Sequence, residues 1–545
     1  MNTFSHLLLF AATLSLNATA QVHYRAADFG QPRATYHLEG PQGIIDQSRA
    51  PVPLGIGLGD VVVLGNRTIF DRDLLSAHET VGTTAEPHWA VLDRINPQGV
   101  DQRVFLPLPD ADPLEFVLVQ GEYRAPDDFT WYGQIAGVAF SDVILVRYKD
   151  SLRIVARDYN PGRPYIEVRY SPLGVHLVTA TDRNYNDECI GIREPRPELP
   201  PADPLPADPP PGGGGYGERA STDPTTRIDM MVVPTQNSRN AYGNENAFLA
   251  DCLAMMADTN LRASASGAPW SVRLVASGWA YGANYFDSGN IDNELNRITN
   301  GSDGFLDGAT NSRPDTRPDV IAVIVEGGGA GVGWRPATTG QLNIGAGFFV
   351  SSRSAAVANG TFAHELGHNL GGCHNSEQGG CTSAVNSTPR GIARFCDANI
   401  FYDDIEYRTT MSYQVNTTVT STRIQRYSVN GLQVVRTGTF GEELCRLDMW
   451  DSVSQAVTTF NVARPFVTQY NIHATQMWAS PGAGGDGTHL SPFGRVANAV
   501  AAVKGGVGAA VVRARAGTFQ ETSGPAVVLS NPSLIRAEGG TVLLR

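Results

Sequence analysis

A run of proline and glycine divides this chain into two parts. Nine prolines stand between positions 195 and 211, and four glycines follow at 212–215. Proline favours an extended, semi-rigid spacer and glycine a flexible hinge, so neither builds a packed core. The composition therefore predicts a linker over residues 195–225, open to a processing protease, with separately packed domains before and after it.

Length and charge limit the classes of protein that the chain can belong to. It has 545 residues, and at roughly 150 residues per domain this length favours three or four domains. The 41 basic and 54 acidic side chains give a net charge of −13. Binding to nucleic acid or to an anionic membrane surface needs a basic face, so we expect neither partner.

The first twenty residues have the pattern of a secretory signal. An apolar run from Leu7 to Leu16 precedes Ala18-Thr19-Ala20, which fits the small-x-small rule for cleavage. A membrane anchor is the alternative, but the run is about half of the ~20 residues that a spanning helix needs. We expect cleavage after residue 20, no membrane span, and export to the periplasm or the cell exterior, where disulfides form.

The segment before the linker, residues 21–194, is predicted to be β-rich. Short apolar runs separated by turn residues are typical of strands, and a β-sandwich or a barrel-like domain is the simplest way to pack them. The runs cover residues 61–64, 116–119, 143–146, 152–155 and 165–168.

The segment after the linker, residues 226–470, has an alternating pattern. Apolar strands at 228–233, 270–276 and 320–325 surround a helical stretch at 247–263. Nearly continuous apolar runs are typical of parallel strands buried on both faces. The alternation predicts a mixed α/β layer domain.

The last part, residues 478–545, is rich in alanine and glycine. Three similar apolar runs at 509–512, 526–529 and 541–544 recur about every sixteen residues, and a solenoid needs at least three such repeats. We expect a short β-rich tail that resembles the start of a parallel β-helix. It is either an attachment to a polysaccharide or cell surface, or a structural appendage.

Three histidines at fixed spacing stand in the segment 361–375. His364 and His368 lie four residues apart and share one face of a helix, and two imidazoles at that spacing hold one zinc ion. Gly371 lets the chain leave the helix in a left-handed turn, so that His374 returns as a third ligand. Three protein ligands leave the fourth position of the zinc ion open for water, as in catalytic sites.

Glu365 follows the first of these histidines and is rotated off the ligand face. From there its carboxylate reaches a metal-bound water. The alternative is that these are ordinary helix residues, but a chance match at five fixed positions is on the order of one in tens of thousands.

The run HELGHNLGGCH fits HExxHxxGxxH and resembles the metzincin zinc metallopeptidases. A methionine turn beneath the metal is the second mark of that family, and TTMSY around Met411 is similar to it. The resemblance covers residues 228–466 and implies a zincin-like catalytic domain, in which a mixed twisted sheet carries the active-site helix. The order of elements is similar to that of reprolysin- and adamalysin-like domains of bacterial type.

The same resemblance implies a layout for the catalytic domain. An antiparallel edge strand over the cleft would lie at 331–337, the last strand at 347–351 and a final helix at 447–462. In such domains the edge strand binds substrate as an added strand.

Two residues depart from the adamalysin pattern. Asn375 follows the third histidine, where adamalysins usually carry aspartate. Tyr413, two residues after Met411, is similar to the tyrosine of astacins and serralysins that approaches the zinc. Tyr413 either contacts the zinc and the oxyanion or is an ordinary buried or surface tyrosine.

These features predict a secreted zinc endopeptidase that is made as a zymogen and acts on proteins or peptides. Zinc on His364, His368 and His374 would acidify a bound water, and Glu365 would act as general base. The alternative function is a surface adhesion or binding protein with a vestigial metzincin domain. The retention of the base together with all three ligands favours the enzyme.

Cys189 is the single cysteine before the linker. A thiolate is a good zinc ligand, so Cys189 would keep the enzyme latent as a cysteine switch; the alternative for Cys189 is a disulfide. The region before the linker would then be a prodomain over 21–194, with the linker as its processing site, and the alternative for this region is a permanent binding domain. Five cysteines follow the linker, at positions 252, 373, 381, 396 and 445, and their pairing is left open.

A loop with Asp303-Gly304 and Asp307-Gly308 is a second candidate metal site. Carboxylate oxygens suit calcium, but acidic residues beside glycine also form solvated turns. Both interpretations stay open at this stage.

Overall fold

A computed structural model describes most of both large segments. The described residues are 35–40, 43–46, 61–62, 64–69, 79–87, 102–106, 114–125, 127–138, 141–159, 165–172, 174–181, 227–312, 316, 318–336, 344–378, 389–396, 404–415, 419–437, 443–468, 476–479, 495–496, 498, 510–519 and 533–544. Within these ranges, no helix has both the length and the apolar character that crossing a bilayer requires.

Strands make up the described part of the chain before the linker. In chain order they are β1 (Thr35–Gly40), β2 (Gly43–Asp46), β3 (Val61–Val62), β4 (Leu64–Ile69), β5 (Glu79–Pro87), β6 (Gln102–Leu106), β7 (Leu114–Ala125), β8 (Asp128–Ile135), β9 (Ser141–Tyr148), β10 (Ser151–Asp158), β11 (Tyr165–Tyr170) and β12 (His176–Thr181). The predicted strand runs fall on these elements, except for residue 63, which lies outside the described residues.

Strands β3 to β12 form one ten-stranded sheet, in the order β3-β6-β7-β8-β9-β10-β11-β12-β5-β4. Its neighbours are antiparallel except for the parallel pair β3 and β6. The two edge strands, β3 and β4, are separated by a single residue of chain, so the two edges of the sheet lie near each other at that point. We call this sheet the N-terminal barrel.

Both faces of β9 and β10 are buried. Leu145 and Ile154 belong to the apolar core inside the barrel, whereas Ile144, Val146 and Val155 point the other way and belong to a core shared with the second half of the chain. Side chains alternate between the faces of a strand, so an unbroken apolar run on an antiparallel strand indicates that both faces are covered.

His176 of the barrel is a buried imidazole that stays neutral in the fold. Its Nε2 accepts a hydrogen bond of 2.9 Å from the Leu152 N–H, and its ring packs against that of Tyr170. Burial lowers the pKa of His176 from 6.5 to about 3. Between these pH values the unfolded chain binds a proton that the folded chain does not, so the free energy of unfolding falls as the pH falls.

We expect acidification to destabilise the protein through His176. At pH 5 the wild type should lose about 2 kcal/mol relative to pH 7 through this group, whereas His176→Gln, which keeps an acceptor but takes up no proton, should not. Urea unfolding of both proteins at pH 7 and pH 5 measures the difference. Equal losses in the two proteins would show that His176 does not titrate between the two states.

The second half of the chain is built around a five-stranded sheet. Its strands are β13 (Arg227–Pro234), β14 (Ser271–Ser277), β15 (Val320–Val325), β16 (Gly331–Gly333) and β17 (Phe348–Ser352). Their order is β14-β13-β15-β17-β16. The strands β14, β13, β15 and β17 are parallel to one another, and β16 is an antiparallel edge strand.

Helices cover this sheet on both faces. They are α1 (Gln236–Tyr242), α2 (Glu245–Ala265), α3 (Ile291–Thr299), α4 (Asp307–Asn311), α5 (Arg353–Ala356), α6 (Thr361–Asn369) and α7 (Ala456–Val467), with short 3-10 turns at Ile344–Ala346 and Ser376–Gln378. All six side chains of β15 are buried, because one apolar core contains α2, α6 and α7 and another contains α3 and α4. The predicted mixed α/β layer is therefore present.

Smaller strands follow the histidine segment. They are β18 (Ala393–Cys396), β19 (Ile405–Arg408), β20 (Thr420–Arg423), β21 (Gln433–Thr437) and β22 (Glu443–Asp448). The expected helix over 447–462 is wrong at its start, because residues up to 448 pair with β21 as a strand and the helix covers Ala456–Val467. The edge strand is also shorter than expected, Gly331–Gly333 in place of 331–337.

The first two strands join the second half of the chain. β1 pairs antiparallel with β21, and the resulting sheet has the order β2-β1-β21-β22. The region before the linker therefore contributes to two sheets, and one of them contains strands from beyond the histidine segment.

The tail contains three described strands, β23 (Gln476–Ala479), β24 (Ala510–Phe519) and β25 (Ser533–Leu544). They are parallel and adjacent in chain order. The apolar run at 526–529 lies outside the described residues.

One disulfide is fully described, between Cys396 and Cys445, with the two Cα atoms 6.0 Å apart. It joins β18 to β22. Cys373 is also disulfide-bonded, to a partner outside the described residues. Cys252 is a buried free thiol in α2. The proposed switch residue, Cys189, lies outside the described residues.

Candidate metal centre

Helix α6 carries the first two predicted ligands. It follows Gly360, whose φ of +67° is a left-handed conformation that glycine adopts without strain. Phe362 is fully buried and packs edge-on against Phe349 of β17, with the ring centroids 4.8 Å apart. This packing fixes the rotation of the helix, so that His364 and His368 lie on adjacent turns of one face.

The third predicted ligand returns to the same point through a glycine turn. The helix ends at Asn369, and Gly371 has φ +86°, as expected for a chain that reverses after a helix. The three Nε2 atoms of His364, His368 and His374 lie 3.0 to 3.1 Å from one another. The structure thus brings together the three histidines that the sequence singled out.

The opposite ring nitrogens contact backbone carbonyls. His364 Nδ1 lies 2.7 Å from the Thr410 oxygen, and His368 Nδ1 lies 2.9 Å from the Gly372 oxygen. A carbonyl oxygen only accepts, so each Nδ1 carries the proton and each Nε2 keeps its lone pair. Carbonyl partners of this kind orient metal-binding imidazoles.

The three imidazoles are neutral at physiological pH. Burial, and then the charge that His368 and His374 would carry, lower the pKa of His364 well below its usual range. Burial lowers the pKa of His368 to about 4. Burial and the neighbouring His368 lower the pKa of His374 in the same direction. Neutral imidazole is the form that binds a metal.

This donor set fits a zinc ion. Three lone pairs directed at one another across about 3 Å repel unless a cation lies between them, and imidazole nitrogen is a preferred zinc ligand that leaves one tetrahedral position for water. Among the described residues, His364, His368 and His374 are the one group of three or more His, Cys, Asp or Glu side chains with their ligand atoms in this geometry.

The Glu365 carboxylate lies between helix α6 and the edge strand β16. It is fully buried. A methyl group added at Gly331 would overlap its Oε1 atom, and one added at Gly333 would lie 3.2 Å from Oε2. The absence of side chains at these two glycines makes the space that the carboxylate occupies.

Met411 and Tyr413 both pack against the segment that carries the histidines. Met411 is fully buried, and its sulfur is so close to Gly367 of α6 that a side chain there would overlap it. The ring of Tyr413 packs on that of His374, with the centroids 3.9 Å apart. Met411 therefore packs against the helix that carries His364 and His368.

Asn375, the departure from the adamalysin pattern, has a structural partner. Its Oδ1 accepts a 3.0 Å hydrogen bond from the Tyr413 N–H, and its Nδ2 donates to Glu377 Oε2 at 3.0 Å. Asn375 thus links the segment after His374 to the backbone at Tyr413.

The acidic loop near residue 303 has the contacts of a turn. Asp303 Oδ1 accepts from the Phe305 N–H, and Asp307 Oδ2 accepts from the Gly304 N–H, both at 2.9 Å. These bonds use the carboxylates within the loop and favour the solvated turn over calcium.

Residues 224–428 match the family described as metallo-peptidase family M12. This segment is similar to the metallopeptidases of that family. It contains all three histidines, Glu365 and Met411, together with the five-stranded sheet and helix α6 described above.

Two curated relatives bear the name Peptidyl-Asp metalloendopeptidase. The one from Stenotrophomonas maltophilia strain K279a is 29% identical over 272 residues, which are 48% of this chain and 58% of the relative. The one from strain R551-3 is 28% identical over 159 residues, which are 28% of this chain and 35% of the relative. The chain thus spans little more than half of the first relative and about a third of the second.

Two solved structures are weakly similar. Metalloproteinase-II from Bacteroides fragilis has 11% identity and a TM-score of 0.32, over 55% of this chain and 90% of that one. A structure titled as a chaperone-substrate complex has 19% identity and a TM-score of 0.30, over 45% and 35%. At these scores neither similarity adds to the description of the fold.

Proposed function

We propose that this chain is an exported zinc endopeptidase that hydrolyses peptide bonds in proteins and is made as a zymogen. One observation carries the proposal: three neutral imidazoles converge with their Nε2 atoms 3.0 to 3.1 Å apart, beside a buried glutamate. The match of residues 224–428 to a metallopeptidase family supports it.

Each residue has a role in the proposed reaction. A bound zinc ion would acidify water and polarise the scissile carbonyl. Glu365 takes the proton from the attacking water and delivers it to the leaving amine. Tyr413 donates a hydrogen bond to the substrate carbonyl oxygen as negative charge develops there. Strand β16, the last strand of its sheet, offers its backbone to an extended peptide.

Acidic peptides are the substrates that the charges around the site favour. Arg335 lowers the pKa of His368, and Arg390 and Arg423 lower that of His374, so three positive charges act on the histidines. A positive potential raises the local concentration of anionic ligands. Both curated relatives are named for peptidyl-aspartate, which agrees with this preference.

Export and latency are part of the same proposal. Residues 1–20 would be the signal peptide, 195–225 the processing region and Cys189 the zinc switch, whereas the tail would attach the enzyme to a surface. The adhesion protein with a vestigial site is the less favoured function, because the packing of Asn375 and Gly331 around the site would serve no purpose there.

The proposal predicts that hydrolysis depends on zinc. We expect the processed protein to cleave casein and acidic peptides, to lose this activity on incubation with a chelator and to regain it with zinc. Product formation by gel and mass spectrometry is the measurement, and magnesium added after the chelator is the control for non-specific ion effects. Activity that persists after zinc removal, or an inactive protein that binds zinc, would contradict it.

A further inference from the structure

A buried ion-pair network joins the N-terminal barrel to helix α2. Arg157 of β10 has no exposed surface. Its Nε donates to Asp142 Oδ1 at 2.8 Å within the barrel, and its Nη2 donates to Asp258 Oδ1 of α2 at 2.6 Å. Tyr159 also donates to Asp142. A buried charge needs such partners, and Arg157 has one on each side of the interface between the barrel and α2.

The network continues from Asp258 to a proposed zinc ligand. Asp258 Oδ2 accepts from Arg262 Nε at 2.9 Å, and Arg262 Nη1 donates to Thr410 Oγ1 at 3.2 Å. The carbonyl of the same threonine accepts from His364 Nδ1 at 2.7 Å. Two side chains, those of Asp258 and Arg262, therefore connect the barrel arginine to Thr410, whose carbonyl orients His364.

A second branch reaches the start of the histidine helix. Arg157 Nη1 donates to the Val357 carbonyl at 3.1 Å, four residues before α6 begins. Gly360, at the N-terminus of α6, lies so close to the Arg262 guanidinium that a side chain there would overlap it. Both arginines thus fix the backbone from which His364 projects.

The charges within the network depend on one another. Burial disfavours the charged form of Asp258, but Arg157 and Arg262 lower its pKa below the usual value. Loss of either arginine would remove one of the two cations that stabilise the Asp258 carboxylate. The remaining groups would then have to move or admit water.

We propose that the N-terminal barrel is a permanent part of the metal centre, in which Arg157 positions His364, and that the barrel stays bound to the catalytic domain after the linker is cut. This deepens the proposed function, because processing would then expose the site without releasing the barrel. The apolar contact of Ile144, Val146 and Val155 with the catalytic core supports the second part.

Arg153 supplies a matched control at the same interface. It also lies in β10, and its Nε donates to Asp251 Oδ1 of α2 at 2.7 Å. Asp251 in turn accepts from Tyr242 at 2.7 Å. In the described contacts this network does not reach the histidines, so its loss should weaken the interface alone.

The test compares zinc affinity in the full chain carrying Arg157→Met or Arg153→Met. Outer contacts of this kind typically contribute 10- to 100-fold to metal affinity, so we expect Arg157→Met to weaken zinc binding at least tenfold, as measured by chelator competition. Arg153→Met should change it less than about twofold. The absorption spectrum of the cobalt-substituted protein should shift in the first variant only, and Arg157→Lys should recover part of the affinity.

A variant inside the catalytic domain tests the path without touching the barrel. Thr410→Val removes the hydroxyl that Arg262 contacts but keeps the carbonyl, so it should weaken zinc binding in the same direction as Arg157→Met. This variant decides the question if Arg157→Met fails to fold. Wild-type zinc affinity in Thr410→Val, or equal losses in Arg157→Met and Arg153→Met, would overturn the positioning role.

Linker cleavage tests whether the barrel stays bound. After limited proteolysis within 195–225, the two fragments should elute together in native size exclusion and separate only on a denaturing gel. A catalytic fragment that elutes alone with unchanged zinc affinity would overturn the inference. Zinc binding is measured without hydrolysis. A protein that shows these affinity changes but never cleaves peptides would therefore contradict the proposed function and leave the positioning role of Arg157 in place.

Discussion

Replacement of Glu365 by glutamine is expected to lower the rate of peptide hydrolysis by roughly 10² to 10⁴-fold, the usual contribution of a general acid–base group. The amide has the size of the carboxylate and fits the same buried space, but it does not accept the proton from the attacking water. The three imidazoles are unchanged, so zinc binding should remain. Initial rates on a peptide substrate and zinc content measure the two quantities.

His368→Ala provides the contrasting variant. It removes a ligand, so zinc content and activity should fall together, whereas Glu365→Gln should separate them. A Glu365→Gln protein that keeps wild-type activity would reject the assignment of the general base.

Replacement of Gly331 by alanine is expected to reduce hydrolysis by about 10²-fold through displacement of the same carboxylate. The added methyl would overlap Glu365 Oε1 and would lie 2.7 Å from Thr361 Cγ2. The end of the glutamate side chain is the flexible partner, so it should move away from the attacking water while the backbone and the three histidines stay in place. The expected pattern is a lower kcat with zinc content unchanged.

Gly327 is the matched control for this substitution. It lies shortly before β16, and an added methyl meets nothing within 4 Å, so Gly327→Ala should keep both activity and zinc. Wild-type rates in Gly331→Ala would mean that the position of the carboxylate is less restricted than the contact distances indicate.

The parts of the site that follow from spacing along one helix were predictable from the sequence. His364 and His368 share a helix face at any position in any fold, and the left-handed turn at Gly371 has a local cause. Strands β13, β14 and β15 were also predictable locally, since short, nearly continuous apolar runs such as residues 320–325 favour a buried strand. Strands β16 and β17 were expected only from the family resemblance.

Contacts between distant segments were not predictable in this way. The Thr410 carbonyl that orients His364 is a backbone group. Every residue has one, so the sequence pattern does not indicate this contact. The predicted helix over 447–462 includes the end of the strand at 443–448, because the partner of that strand, β21, contributes the hydrogen bonds that decide its conformation.

One feature of the sequence indicates the interface between the barrel and α2, but the prediction did not use it. Residues 143–146 are continuously apolar, which for an antiparallel strand means that both faces are buried. Asp258 and Arg262 are spaced to pair on α2, but a second arginine from the barrel was not foreseeable without the fold. The sequence left a removable prodomain and a permanent domain open, and the structure shows a core that the barrel shares with the second half of the chain.

The pairing of β1 with β21 determines when the chain is able to finish folding. Thr35 lies opposite Thr437, so about 400 residues must be made before this pairing forms, and contacts so distant in sequence form slowly. At a synthesis rate of 5 to 20 residues per second, the first strand waits about 20 to 80 s for its partner. The nascent chain thus stays incompletely folded throughout translation, which is the state that an export machinery able to pass only unfolded chains requires.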